Sequence, residues 1–441
     1  MKRCIVWLGL LLQSACAVYH PLPLARIARA PDEVADITID ARAMAFAPHD
    51  HVFDPSHGLD MTDVAMLAVT NDPQLQLARD ARGIGVAQAF AAGLLPDPIL
   101  DASRAFPISG PAAVSAYGLG LAYDISALLT HSLAKRAAAA SAHAVNLNLL
   151  WMEWQVVSAS RELFIGDWYD ERMLVLSRER VRQLAGQQAT LMQEYRRGDA
   201  SLAAVDADLA RLQAARTRRD GIARRLLIAR QGLDALLGLS PRAKLQLQIP
   251  ALLREPSGAE VDRDLDALPR RRPDLLALQA GYRSEDARYR QAIWQQFPAI
   301  TVGLTRARGT ENVSTQGFGV ALTLPIFNRN RGHIAIERAT RRELHDAYTV
   351  RLVDARSGAE RILQDERLLE RRRKDLARGV RIAARTLPAL RTGVAQGDVS
   401  RADELPAAST LCALRLELLG VERTMQEQQV ALRTLLGDRR R

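Results

Sequence analysis

Between Ala116 and Tyr123 small residues (Ala116, Gly118, Gly120, Ala122) alternate with bulky apolar ones (Tyr117, Leu119, Leu121, Tyr123). A period of two puts the bulky set on one face of a strand and the small set on the other. Gly317, Gly319, Ala321 and Thr323 alternate likewise with Phe318, Val320, Leu322 and Leu324, as do Thr301, Gly303 and Thr305 with Ile300, Val302 and Leu304. A fourth, less regular run occupies Ile99–Ala105. Each run is about nine residues, the length a tilted strand needs to cross a bilayer. A soluble two-layer sheet would alternate too, but Pro98, Pro298 and Pro325 delimit the runs sharply, and the loops at 106–114 and 307–315 carry Gly, Ser, Asn or Pro.

Elsewhere the period is helical. Residues 112–240 contain no proline and are rich in Ala, Leu, Arg, Glu and Gln, which lose least on entering a helix. Leu202, Val205, Leu209 and Leu212 step by three and four, as do Leu411, Leu414, Leu418, Val421 and Met425, giving the narrow seam of a coiled coil. Gly198 and Gly397 mark hairpin tips, where Asp199 with Ser201, and Asp398 with Ser400, can cap the following helix. The helix over residues 125–196 holds roughly 70 residues and spans on the order of 100 Å. Segments 61–93 and 201–237 are each about half as long, so one long helix stands beside two short ones laid end to end. Residues 331–395, 400–436 and 264–296 repeat the plan, and Pro388 should bend the second long helix.

The two plans are one unit written twice. Arg197-Gly198-Asp199-Ala200-Ser201 returns as Gln396-Gly397-Asp398-Val399-Ser400, a displacement of 397 − 198 = 199, and Leu236-Leu237-Gly238 returns as Leu435-Leu436-Gly437 at the same displacement. A repeat this long exceeds any solenoid unit and signals duplication of a half-structure. The expected organisation is a signal peptide (1–15), an N-terminal segment (16–60), a first repeat (61–238), a connector (239–263), a second repeat (264–437) and a tail (438–441).

The N-terminus sets the compartment. Met1-Lys2-Arg3, an apolar run from Cys4 to Leu12, and Gln13-Ser14-Ala15-Cys16 form the three parts of a secretory signal. Two processing readings stand: acylation of Cys16 as the first mature residue, or cleavage after Ala15-Cys16-Ala17. After processing, Cys412 is the only other thiol, so the fold does not rest on an internal disulfide between ordinary cysteines. No later stretch supplies the roughly 18 apolar residues of a spanning helix, so a membrane would be crossed by strands. The net charge of +10 raises nucleic acid or an anionic surface as a partner, but the basic residues are interleaved with acids, as in Arg161-Glu162 and Asp170-Glu171-Arg172, which describes a solvated helix face.

Four strands cannot close a membrane barrel, whose smallest stable form needs about eight, and open edges cannot face lipid. The chain must therefore oligomerise. The edge argument excludes a monomer without choosing three copies over four.

Arg271-Arg272-Pro273-Asp274-Leu275, Phe297-Pro298-Ala299-Ile300, the strand to Leu324 with Pro325-Ile326-Phe327, Gly332 opening a long helix, Gly397-Asp398-x-Ser400 and Leu435-Leu436-Gly437 together resemble TolC-like outer-membrane efflux proteins. The similarity covers residues 59–437, and the opening at Cys16 resembles lipid-anchored members. The resemblance implies a mainly α fold with a small membrane β-barrel. Three chains would form a 12-stranded barrel in the outer membrane and an α-helical barrel in the periplasm, docked on an adaptor and an inner-membrane pump. It implies an adaptor contact and gate at Arg196, Arg197, Gly198, Asp199 and Ser201, and at Gly397, Asp398, Ser400, Arg401 and Asp403. Rings of Asp398 or Asp403 would favour cations, although Asp398 can equally serve only as a helix cap. A gating tyrosine typical of some relatives has no counterpart, Val394 falling near its position.

Other chemistry is sparse. His49, Asp50, His51, Asp54 and His57 form the one dense His/Asp cluster, but a metal needs three converging ligands and this stretch does not enforce that; the expectation is a polar linker. Trp151, Trp154 and Trp168 read as packing residues. Nucleophile-elbow, phosphate-loop and CxxC patterns have no supporting context, so neither an enzyme nor a cofactor is expected. The functional reading is a passive exit duct for export. The alternatives are a periplasmic coiled-coil adaptor, which carries one hairpin where this chain has two, and a nucleic-acid binder, which the signal disfavours. The cargo is not legible.

Overall fold

A computed structural model describes residues 19–26, 30–34, 39, 51, 53–250 and 253–437, with the side chains of 401 and 402 excepted. The signal peptide, Cys16, His49, Asp50 and the tail 438–441 lie outside the described residues.

The chain runs α1 (Met61–Asn71), α2 (Pro73–Gly93), β1 (Ile99–Ala105), β2 (Ala116–Asp124), α3 (Ile125–Arg197) and α4 (Leu202–Leu236). The same order then returns as α5 (Gly258–Arg271), α6 (Pro273–Trp294), β3 (Ala299–Arg308), β4 (Ser314–Thr323), α7 (Arg331–Gln396) and α8 (Arg401–Leu436). The predicted duplication is thus element for element. Gly238 and Gly437, the ends of the repeated Leu-Leu-Gly, both adopt left-handed backbone, at φ 65° and 66°, as helix C-caps require.

Helix α3 has 73 residues, about 110 Å at 1.5 Å per residue, and packs against α4 over one part of its length and α2 over another. Helix α7 does the same with α8 and α6. Helix α3 also packs on α6 and α8, which joins the two halves. Pro388 lies inside α7, as expected, and Pro406 and Pro269 lie inside α8 and α5.

Two expectations are corrected. The helix predicted over 61–93 is two helices, because Pro73 starts a new one with the Asp72 carboxylate accepting from Leu75 N at 2.7 Å. The segment 264–296 breaks in the same way before Pro273, and its first helix begins at Gly258, where Ser257 and Glu260 form a capping box. Pro73 and Pro273 both stand at the first position of a helix.

The largest core lies where α3, α4, α8 and α1 meet, around Phe164, Ile165, Tyr169, Ile222, Leu226, Leu233, Leu416 and Val64. Burying each large side chain is worth about 1.5–3 kcal/mol. Leu59 and Leu247 form a parallel bridge that ties the connector beside this core, with Leu59 N donating to Gln246 O at 2.8 Å. Toward the tips the packing thins to small clusters, Val181 with Leu184 and Leu212, and Leu387 with Leu411. The predicted seam is half realised: Val205 and Leu212 are buried, while Leu202 and Leu209 are exposed on the chain's surface.

All four strands form one antiparallel sheet in the order β1-β2-β3-β4. The register places Leu100, Leu121, Leu304 and Phe318 in one row across it. Tyr123, Val302 and Val320 form the next row of that face. The other face carries Asp101, Gly120, Thr305 and Gly317 in one row and Ser103, Gly118, Ala307 and Thr315 in another. The predicted split into a bulky apolar face and a small polar face holds across the sheet. Strands β1 and β4 are its open edges.

Candidate functional site

The hairpin tips share one backbone device. At the first, Gly198 is left-handed (φ 86°), its N–H donates to Tyr195 O at 3.0 Å, and Asp199 N donates to Glu194 O at 2.9 Å. At the second, Gly397 is left-handed (φ 82°), donating to Val394 O at 3.2 Å, while Asp398 N donates to Gly393 O at 2.9 Å. Both are Schellman ends, in which the helix's orphan carbonyls are taken up by the turn itself. Ser201, not Asp199, caps α4, its hydroxyl accepting from Ala204 N at 3.2 Å. At the second tip Asp403 N donates to Ser400 O at 3.0 Å.

Arg196, Arg197, Gly198, Asp199 and Ser201 are exposed at the first tip, and Gly397, Asp398, Ser400 and Asp403 at the second. Arg401 opens α8. Among the described residues, the side chains of Arg196, Arg197, Asp199, Asp398 and Asp403 form no ion pair. The tips differ in charge: two arginines end the first long helix, and Asp403 and Glu404 begin the helix after the second. Two contacts that sequence reasoning missed close the second tip. Arg391 Nε donates to Glu404 Oε1 at 3.1 Å across the arms, and Val399 seats on Gly393, where a Cβ would lie 2.7 Å from Val399 Cγ2.

At the opposite end the sheet carries an exposed apolar face, with Phe318, Val320, Leu322 and Leu324 each more than half exposed. Below it, Trp294 and Phe297 stand 6.0 Å apart, also exposed, and Phe327 lies beyond β4. Interfacial aromatics flanking an apolar band are the pattern of membrane barrels. Among the described residues, no helix is long and apolar enough to cross a membrane.

The His/Asp stretch arranges differently from its linear clustering. Asp54 pairs with His57 at 3.3 Å, while His51 Nε2 meets Asp63 Oδ1 at 2.8 Å. His51, Asp60 and Asp63 bring ligand atoms within 4.8 Å of one another. Three of the four carboxylate oxygens are already engaged: Asp60 Oδ1 accepts from Thr62 N and Asp63 N, Asp63 Oδ2 accepts from Asp60 N, and Asp63 Oδ1 meets His51. Burial pushes the Asp63 carboxyl above its ordinary range. The group is the N-terminal cap of α1, whose positive dipole end disfavours a cation.

The tryptophans pack, as expected. Trp151 and Trp154 lie 6.3 Å apart, and the Arg272 guanidinium stands 4.7 Å over Trp151. The Arg172 guanidinium lies 3.4 Å over Trp168.

Residues 265–438 match the family described as Outer membrane efflux protein. Over 120 residues the chain is 38% identical to the cobalt-zinc-cadmium resistance protein CzcC of Cupriavidus metallidurans, covering 24% of this chain and 25% of that protein. The matched stretch therefore spans about a quarter of the length of this curated relative. The fold aligns with the outer-membrane channel OprN at a TM-score of 0.70 and 16% identity, over 96% of this chain and 99% of that one. It aligns with the open state of the Neisseria gonorrhoeae MtrE outer membrane channel at 0.70 and 18%, over 95% and 97%. CusC, a transmembrane channel, aligns at 0.67 and 18%, over 92% and 99%. The adaptor alternative calls for a single helical hairpin, whereas α3–α4 and α7–α8 make two and the strands of both halves join in one four-stranded sheet. The chain is thus similar to outer membrane efflux proteins in sequence across residues 265–438, and it shares the fold of outer-membrane channels across nearly its full length.

Proposed function

We propose that three copies of this chain form the outer-membrane exit duct of a tripartite efflux system, passing substrates from a periplasmic adaptor and an inner-membrane pump to the exterior. The observation that carries this reading is the sheet: four strands, apolar outside and small inside, with an unpaired edge at each side. Unpaired backbone in hydrocarbon costs several kcal/mol per group, so the edges must join those of other copies. Three sheets close twelve strands, and the columns of α3 and α7 continue the wall into the periplasm. Cys16 as an acylated first residue would anchor each chain to the same membrane. The duct performs no chemistry; selectivity for cargo resides in the pump.

The tips are the adaptor contact and the gate. Arg196, Arg197 and Asp199 at one tip, and Asp398, Arg401 and Asp403 at the other, present charges for a partner's hairpin, and threefold rings of Asp398 or Asp403 favour cations at the constriction. The likeness to a cobalt-zinc-cadmium resistance protein makes resistance to these three ions the first export phenotype to assay.

Fractionation tests the reading. The mature chain should partition to the outer membrane and leave it as a detergent-stable trimer that conducts in planar bilayers. A soluble monomer obtained without detergent would end the proposal.

A further inference from the structure

On the apolar face of the sheet, the rows nearest the hairpin loops turn basic. The register aligns Arg104, Tyr117 and Arg308 in one row, and Leu119 with Arg306 in the row below it. Arg306 and Arg308 lie two and four residues beyond Leu304, so they stand roughly 7 and 13 Å above the Leu121–Leu304–Phe318 row at about 3.3 Å per residue. The acids of the sheet are segregated from them: Asp101 and Asp124 share rows with Thr305 and Thr301 on the small-residue face. Glu311 is the one acid in the two hairpin loops (106–115 and 309–313).

These arginines are unneutralised. Among the described residues none of Arg104, Arg306 and Arg308 forms an ion pair. Arg308 Nε is shielded from solvent and has no hydrogen-bond partner, which ordinarily costs on the order of 1–3 kcal/mol. The Arg104 guanidinium stands 4.9 Å over the Phe106 ring, which fixes its height beside an exposed aromatic. A band of arginine and aromatic side chains directly above a hydrocarbon-facing band is placed where a bilayer keeps its phosphates.

The geometry points to Arg104, Arg306 and Arg308 as a lipid-phosphate site, binding phosphorylated headgroups of the leaflet at the loop end of the sheet. The planar guanidinium donates in pairs to phosphate oxygens, and three copies of the chain would repeat the site around the barrel. This inference rests on the duct reading, because only a membrane-embedded sheet brings that face to headgroups.

The test uses the full-length detergent-solubilised oligomer, titrated with bis-phosphorylated lipid A while its thermal dissociation is followed. The wild type should be stabilised, and the concentration for half-maximal stabilisation should rise roughly fivefold for each arginine replaced by glutamine. Dephosphorylated lipid A and phosphatidylcholine should not substitute, and R104K/R306K/R308K, which keeps the charge but loses the paired donors, should recover only part of the effect. An unchanged titration of R104Q/R306Q/R308Q, or of R104Q and R306Q singly if the triple variant does not assemble, overturns the site. Equal stabilisation by inorganic phosphate overturns its assignment to lipid. Failure of the wild type to form any detergent-stable oligomer would instead count against the duct.

Discussion

Arg272 clasps Asp274 through two hydrogen bonds, Nε to Oδ1 at 2.8 Å and Nη2 to Oδ2 at 3.0 Å, with both side chains buried. Arg351 of α7 adds a third contact to the same carboxylate at 3.3 Å, and Arg272 reaches Leu435 O at 3.4 Å. The Arg-Pro-Asp-Leu motif thus locks the start of α6 to α7, to the end of α8 and to Trp151 of α3. Removing one partner of a buried pair strands the other, at a cost of about 3–5 kcal/mol. Arg272→Ala should lower the unfolding free energy by that order, measured by denaturant unfolding of the detergent-solubilised protein; a loss below about 1 kcal/mol would demote the pair to a surface contact.

Gly198 and Gly397 occupy backbone that a Cβ penalises by about 1–2 kcal/mol. Gly198→Ala and Gly397→Ala should leave the assembly intact and loosen only the tips, seen as faster hydrogen exchange at the amides of Asp199 and Asp398. Unchanged exchange would mean that the turns tolerate the substitution.

The gate is tested by conductance. Asp403→Ala, alone or with Arg401→Ala, should raise single-channel conductance, and Arg391→Ala, which breaks the 3.1 Å bridge to Glu404, should do so independently. If all three variants conduct as the wild type does, these residues do not constrict the pore.

Acid should stabilise the helical body. Burial pushes Glu366 of α7 up to about 7, reinforced by Glu255, and the Glu285 carboxyl of α6 also rises to about 7 through burial and the neighbouring Glu337. A carboxyl raised in the folded state binds its proton more tightly there than when unfolded. Its contribution is therefore complete below the unfolded value near 4.5 and is lost as pH climbs through about 7. The melting temperature should rise between about pH 8 and pH 5, and Glu366→Gln should flatten that rise. A profile of equal slope in the Gln variant would remove Glu366 from the effect.

The sequence carried the strands and long helices because their signals are local. Tyr117 through Tyr123 alternate over a full strand, and both tips carry a glycine where the backbone turns left-handed. The breaks before Pro73 and Pro273 are not visible in the helical periodicity, which runs across both prolines, although proline suits the first turn of a new helix. Leu202 and Leu209 fit the heptad yet lie on the surface of the single chain, since periodicity identifies an apolar stripe and not the helix that covers it. Asp63 was missed as the partner of His51 because they meet through the cap of α1, twelve residues on. The proposed gate is illegible for a related reason: a constriction built between chains would leave no spacing within one chain to record it.

Gly118, Gly120, Gly303, Gly317 and Gly319 all fall on the face of the sheet opposite the bulky apolar rows. With so few bulky side chains, that face offers passing molecules mainly backbone, scattered hydroxyls and the carboxylates of Asp101 and Asp124, with no pocket shaped to grip one solute over another. Width is then the property this wall conserves. A large residue at Gly319, where nothing lies within 4 Å of an added Cβ, would plug the passage without disturbing the sheet.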